Sequence, residues 1–441
     1  MLTHFLTGDA RGAMATLRSN LEEEIKASAW SCLLTGETHG HAGSGIRFVS
    51  PLAAWPWRPD HASRDRSAHF ASMKTWVICL FFFVLASSGV LAAEKPPTTL
   101  PSAGFLRALA PREWSFPRDH GRHDGFKTEW WYFTGNMRDQ TGRRFGYQLT
   151  FFRTAYAATA TTRASAWGMN ELYFAHAAIT DVSGKVFSFK DGLQRGMAGL
   201  AMASDQTLDV SVLDWTAKLK EEKIHLQAKE KGFAIDLTCA IPGAPILQGK
   251  GGLNAKGDQP GQASYYYSMT RLPTHGTLET SGQKFTVDGI SWMDHEFSSN
   301  ALEANQTGWD WISLSLADGS DLMIYRMRDK KGGTDYLSGT EISREGKPRY
   351  LVEGEIQFEG SKPWKSPVSG GSYPQEWRVQ LKGHDAMIVK SVMPGQELTT
   401  QHSTNVNYFE GAVDVFDMRG KSVGEGYLEM TDYTKSIGGG M

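Results

Sequence analysis

The sequence predicts an all-β protein made of two consecutive antiparallel β-barrel domains. Three observations carry this. From Phe126 onward, aromatic and β-branched runs alternate with Gly- and Asp-bearing turns; "TEWWYFTGNM", "RDQTG" and "RRFGYQLTFFR" together read as a hairpin. No long stretch keeps a helical period. Finally, "EWWYFTGNMRDQTGRRFGYQLTFFR" (129–153) is echoed by "GWDWISLSLADGSDLMIYRMRD" (308–329), which aligns Trp131 with Trp311 and Tyr147 with Tyr325. Closure into barrels removes exposed edges and leaves an interior able to hold a ligand.

Taken in order, the chain opens on residues 1–72, which lack period and turn grammar and read as an overextended reading frame. "MKTWVICLFFFVLASSGVLAAEKPP" then starts at Met73 with a lysine, an apolar core from Trp76 to Ala86, and small residues before Ala93. That is the grammar of a signal peptide over 73–93, which predicts export to the periplasm or beyond. Residues 94–125 are Pro-rich and read as an irregular lead-in. The first barrel is expected over 126–280, the second over 281–434, and a flexible tail over 435–441.

Composition narrows the function. Lys+Arg 46 against Asp+Glu 48 leaves no basic excess for a polyanion, so nucleic acid is not expected as a partner. Of three cysteines, Cys32 and Cys79 precede the predicted cleavage and Cys239 alone follows it. An exported chain with one cysteine has no internal disulfide and must hold together by its core. Cys239, in the strand-like "FAIDLTCAI", reads as buried filler. No serine-hydrolase elbow, P-loop or dinucleotide fingerprint appears after the leader, so no cofactor is predicted.

The unusual feature is "WMDHEF" (292–297), a strand-like run with three consecutive ionisable residues. Alternation puts Trp292, Asp294 and Glu296 on one face and Met293, His295 and Phe297 on the other, with the two carboxylates roughly 6–7 Å apart. Unless the strand bulges, no single metal ion is held by all three, and zinc-type Cys/His spacing is absent, so no metal is predicted. Two carboxylates beside an indole favour a proton held on one of them, the requirement for a proton donor. The competing reading is a buried salt link to Arg271 or Arg326.

Other aromatic rows point the same way. "KTEWWYF" sets Glu129, Trp131 and Phe133 opposite Trp130 and Tyr132; "SYYYSMTRL" sets Tyr265 and Tyr267 opposite Tyr266 and ends in Arg271. "GWDWISL" sets Trp309 and Trp311 opposite Asp310, Tyr325 lies on the return strand, and "VNYFEGAVDV" adds Tyr408 and Glu410. Such rows are core more often than pocket, yet so many polar aromatic tips need partners, which hints at a cavity.

These motifs, with "AHAAITD", "GISWMDHEFSS", "YPQEWRV" and "GEGYLEMTDY", resemble in order the AttH/carotenoid 1,2-hydratase family, over about Pro117 to Tyr433. The resemblance implies two lipocalin-like, calycin-type barrels. It also implies a hydratase acting on an apolar polyene, or an exported protein of the branch labelled a predicted hydrolase, which accompanies lipid-export-type ABC transporters. Phe297 stands where the family has Trp, and Asp432 where it has Gly; both departures bear on substrate more than on fold.

Three functions follow. A hydro-lyase would use Asp294 as acid, Glu296 or His295 to orient water, and Tyr267 and Trp292 to hold a cation, each ring contributing roughly 0.5–2 kcal/mol. Around it, Trp131, Glu129, Tyr265, Arg271, Trp309, Trp311, Tyr325, Tyr408 and Glu410 would line the ligand site. A binding module would carry a lipophilic small molecule for a transporter and do no chemistry. A glycoside hydrolase would use the carboxylate pair with inverting geometry, a reading to which the resemblance adds little.

Overall fold

The computed structural model of the protein describes residues 104–158, 170–299, 305–404 and 406–434. The expected extra reading frame (1–72), signal peptide (73–93) and tail (435–441) lie outside the described residues.

Two antiparallel sheets make up the fold. The first contains β1 (Thr128–Asp139), β2 (Arg144–Ala155), β3 (Glu171–Asp181), β4 (Val186–Arg195), β5 (Ala201–Ala203), β6 (Asp209–Val212) and β7 (Trp215–Lys220). It continues with β8 (Lys223–Glu230), β9 (Phe233–Ala240), β10 (Ile246–Leu247), β11 (Leu253–Ala255), β12 (Ala263–Thr280) and β13 (Gln283–Ser298). The second contains β14 (Gln306–Leu316), β15 (Asp321–Asp329), β16 (Thr334–Ile342), β17 (Pro348–Leu351) and β18 (Ile356–Lys365). It ends with β19 (Ser372–Leu381), β20 (Met387–Ser391), β21 (Glu397–Thr399), β22 (Asn407–Asp417) and β23 (Ser422–Thr431).

The spatial orders show one pattern used twice. The first sheet runs β4-β3-β2-β1-β13-β12-β9-β8-β7-β6-β5, with β10 and β11 on β12. The second runs β17-β16-β15-β14-β23-β22-β20-β19-β18, with β21 on β22. In each, a four-strand meander begins beside the last strand of its own unit, and the penultimate strand follows. Both sheets curl into barrels; in the first, β6 approaches β2, β3 and β4 across the interior. The all-β prediction of two lipocalin-like barrels is met, and the hairpin echo that motivated it has a counterpart in topology.

Two expectations need correction. The change of sheet falls between Ser298 and Gln306, because β13 pairs along its length with β1 and β12. The expected boundary at 280/281 is instead a two-residue hairpin loop, Ser281-Gly282, with φ of 52° and 73°. That is the chemistry of a primed turn, whose twist suits paired strands. "WMDHEF" thus closes the first barrel. The lead-in is also more than irregular chain: it carries a short 3-10 helix, Arg118–His120, and buries Asp119, His120 and His123 under the first barrel.

The first barrel is filled by its own side chains. Phe133 and Met137 on β1, Phe145, Tyr147, Leu149 and Phe151 on β2, and Ile235, Leu237 and Cys239 on β9 belong to one continuous core. Each such large apolar side chain contributes about 1.5–3 kcal/mol. The ligand-holding interior anticipated from closure is therefore occupied by core. Cys239 is a buried free thiol, as its context suggested.

The barrels dock along β1–β3 of the first and β22–β23 of the second. Asn136 donates to the Gly426 carbonyl at 3.0 Å, and Thr180 donates to Gln396 Oε1 at 2.8 Å. Arg138 meets Glu425, and Arg144 pairs with Asp414. At Gly146 the approach is so close that a Cβ would stand 2.7 Å from that of Ala412.

Candidate functional site

Register decides what surrounds Asp294. On β13 it lies opposite Tyr132 of β1 and Ser268 of β12, while Glu296 lies opposite Trp130 and Tyr266. Paired residues share a face, so Trp292, Asp294 and Glu296 look out of the first barrel together with Trp130, Tyr132, Tyr266 and Ser268. The second sheet meets this face with a row running across four strands: Tyr325, Trp311, Glu429 and Glu410, paired in that order. Tyr132, Tyr266, Trp292, Trp311 and Tyr325 belong to one buried aromatic cluster built from both barrels.

Asp294 is buried there and holds three neutral donors. Its Oδ1 accepts from Ser268 Oγ at 2.5 Å and Trp292 Nε1 at 2.7 Å; its Oδ2 accepts from Tyr266 OH at 2.8 Å. Trp311 Nε1 donates in turn to Tyr266 OH at 3.1 Å. Burial pushes the Asp294 carboxyl up to about 7, against the pull of these hydrogen bonds.

Among the described residues no arginine pairs with Asp294, and the two considered from sequence are engaged elsewhere. Arg271 lies at a bulge of β12 with φ of 51° and pairs with Asp321 at 2.9 Å, donating also to the carbonyls of Leu316 and Ser320. It ties the first barrel to the β14–β15 turn. Arg326 is taken by Asp310, inside the second barrel. Glu296, by contrast, has a cation: Lys256 Nζ sits 2.8 Å from its Oε1 and 4.2 Å above the Tyr325 ring. Sequence reasoning missed Lys256, which lies in a turn-rich segment with nothing to mark it.

Across the junction stand two further protonated-leaning acids. Burial raises Glu429 to about 8, opposed by its hydrogen bond from the Trp309 indole and aided by the nearby Asp294 and Glu296. Burial, then Glu429, lifts Glu410 well above the usual range, although Tyr132 OH donates to its Oε2 at 2.7 Å. Glu410 Oε1 and Tyr427 OH are buried without a hydrogen-bond partner among the described residues. Glu429 was not anticipated; it falls four residues before the end of the motif "GEGYLEMTDY" and only pairing with Trp311 brings it in.

The remaining sequence candidates separate from this group. Tyr265, Tyr267, Glu129, Trp131 and His295 occupy the opposite faces of their strands. Tyr267, expected beside Trp292, instead meets His120 Nδ1 at 2.6 Å and His295 Nδ1 at 3.1 Å. The neighbour that faces Asp294 is Tyr266. Tyr265 donates to the Ala110 carbonyl and anchors the lead-in. Tyr408 spends its hydroxyl on His176 Nδ1 at 2.5 Å; Tyr325 stays in the junction cluster and donates to the Ala255 carbonyl. Trp131 packs inside the first barrel and Trp311 at the junction, so the echo aligns their strands but not their surroundings.

The described residues also line cavities. One of about 630 Å³ is lined by Arg122, Asp124, Arg153, Glu171, Tyr173 and Met202, at one end of the first barrel. One of about 360 Å³ lies by the β14–β15 turn, and a cleft of about 30 Å³ between Trp292, Ser313 and Tyr427 reaches the junction.

Comparison with known proteins agrees with this architecture. The AttH-like family model matches residues 107–433. No curated relative matches the sequence. Among solved structures, an AttH protein of Nitrosomonas europaea is 30% identical, with a TM-score of 0.67 over 74% of this chain and 100% of its own. Kievitone hydratase from Nectria haematococca has the same fold at 14% identity, with a TM-score of 0.56 over 75% of this chain and 97% of its own. With the family motifs, the doubled barrel and these matches in agreement, the chain belongs to the AttH-like family.

Proposed function

We propose that this protein binds a lipophilic, isoprenoid- or lipid-like molecule at the junction of its barrels and adds water across a C=C bond, with Asp294 as proton donor. One observation carries the reading. Asp294 is a buried carboxyl with no cation paired to it among the described residues, fixed by three neutral donors and enclosed by Tyr132, Tyr266, Trp292 and Trp311. An acid so placed delivers its proton to an alkene carbon, and the rings stabilise the carbocation that results. Water then adds to the cation, and its surplus proton returns to the Asp294 carboxylate, so atoms and charge balance over the cycle.

The roles first suggested by sequence shift accordingly. His295 faces away from this site and takes no part. Glu296 is held by Lys256, which leaves Glu429 and Glu410 across the junction as the acids able to orient water. The kievitone hydratase fold supports the reaction class by analogy alone.

A second reading is a carrier that does no chemistry and serves a lipid-export-type transporter. The cavity of about 630 Å³, remote from Asp294, favours it. Export itself rests on the signal-peptide grammar at 73–93.

The test is to incubate purified protein with acyclic isoprenoid polyenes and follow hydrated product by mass spectrometry. Hydration lost in Asp294→Asn, with ligand binding retained, supports the hydratase. Binding without turnover in the unaltered protein supports the carrier.

A further inference from the structure

The other face of β13 carries a second arrangement. We propose that His123, Glu129 and His295 bind a divalent transition-metal ion, zinc being the best match. The three come from distant stretches of chain, the lead-in, β1 and β13. Their near atoms converge: His123 Nδ1 and His295 Nε2 each lie 2.8 Å from Glu129 Oε1, and all three atoms fall within 4.8 Å of one another. All three residues are buried. His123 stacks on Phe297 at 3.6 Å and His295 on Trp131 at 4.9 Å, which fixes both rings.

The hydrogen-bond partners accommodate a metal ion. Each imidazole turns its far nitrogen to a partner: His123 Nε2 to Asp119 Oδ1 at 3.1 Å, and His295 Nδ1 to Tyr267 OH at 3.1 Å. Asp119 is itself held by the Ser115 amide at 2.6 Å and by Arg112 at 3.0 Å. Without an ion, both near nitrogens must carry hydrogens to satisfy Glu129, and His123 can then also donate to Asp119 only with hydrogens on both ring nitrogens. With an ion, each near nitrogen offers its lone pair to the metal. The far nitrogens keep their hydrogens, His123 donating to Asp119 and His295 to Tyr267, whose hydroxyl donates to His120 Nδ1 at 2.6 Å. Every contact is then a donor facing an acceptor. Imidazole ligands backed by a carboxylate and a hydroxyl are the usual outer support of such sites.

Charge and geometry agree. Arg153 lies 3.6 Å from Glu129 Oε2 but makes its closest pair with Glu171, at 2.5 Å. Glu129 Oε1 is left facing the two imidazoles. Zinc–ligand bonds near 2.0–2.2 Å place tetrahedral ligand atoms about 3.3 Å apart, so each Glu129–imidazole contact of 2.8 Å must open by roughly half an ångström. Two histidines and one carboxylate leave a fourth position, the pattern of a reactive rather than a purely structural zinc. The cavity of about 630 Å³ is lined by Arg122 and Asp124, which flank His123, and by Arg153, which touches Glu129. Nitrogen and oxygen donors of this kind suit zinc and its first-row neighbours. Three consecutive residues, Asp294, His295 and Glu296, thus serve two places, divided by strand alternation.

The test uses purified protein stripped with a chelator, then titrated with zinc, and with cobalt as a spectroscopic substitute. The expected result is one equivalent bound per chain, a higher melting temperature, and cobalt bands of nitrogen and oxygen ligation. Glu129→Gln should abolish binding, and Tyr267→Phe should weaken it at least tenfold through its supporting contact. If Glu129→Gln does not fold, the titration of the unaltered protein and the Tyr267→Phe affinity decide. Absence of stoichiometric binding, or an affinity indifferent to Tyr267→Phe, overturns the proposal.

Discussion

Replacing Asp294 by Asn should cost less stability than replacing Glu296 by Gln, although the two carboxylates share one face of one strand. Asp294 accepts from Ser268, Trp292 and Tyr266 and has no counter-ion among the described residues. Asn keeps an oxygen for Ser268 and Trp292 and turns its amide to Tyr266, whose hydroxyl hydrogen alone loses its acceptor. The loss is about one hydrogen bond, roughly 1 kcal/mol. Glu296 is the partner of Lys256, the two side chains being 5% and 9% exposed. Glu296→Gln strands that ammonium in a nearly dry site, for which about 3–5 kcal/mol is typical. Urea unfolding of both variants, with unchanged slopes, measures the difference directly. A cost for Asp294→Asn equal to or above that of Glu296→Gln would refute the reasoning, because it would mean that Asp294 is the structural anchor of the junction.

Three further outcomes are expected. Between the ordinary glutamate value and about 8, folded Glu429 keeps a proton that the unfolded chain has released. Stability should therefore fall as pH rises through that window, by at most about 1.4 kcal/mol per pH unit from this group; thermal melts across the window should show the slope, and Glu429→Gln should flatten it. Gly146→Val should loosen barrel docking, since a Cβ there already meets Ala412 at 2.7 Å; a melting temperature equal to that of the parent protein would contradict this. Protein recovered from the periplasm or medium of its host should read from near Ala93 on N-terminal sequencing, and a terminus upstream of Met73 would remove the export reading.

The alternation in "WMDHEF" was legible because a strand has a period of two, and it correctly separated His295 from the two acids. Alternation does not say which neighbour faces which side. Choosing Tyr266 over Tyr267 required the pairing of β12 with β13, which is a long-range property. The boundary falls later than expected because the hairpin echo marks where the second meander starts but not which barrel the preceding strand joins; only the pairing of β13 with β1 and β12 assigns it to the first. Asp119, His120 and His123 stayed hidden in a Pro-rich stretch with no period. Their density of ionisable groups, in "RDHGRHDG", was the one available signal. Lys256 and Glu429 carried no signal at all, since each matters only through the partner it meets.

The central claim is that Asp294 protonates a double bond at the junction of the barrels. Its most direct test is reaction of the purified protein with an acyclic isoprenoid polyene in ¹⁸O-labelled water, followed by mass spectrometry of the product. The account predicts one labelled hydroxyl per hydrated double bond, formed by the unaltered protein and absent with Asp294→Asn. Labelled product formed equally by Asp294→Asn, or no labelled product from the unaltered protein with a polyene that it binds, would contradict it.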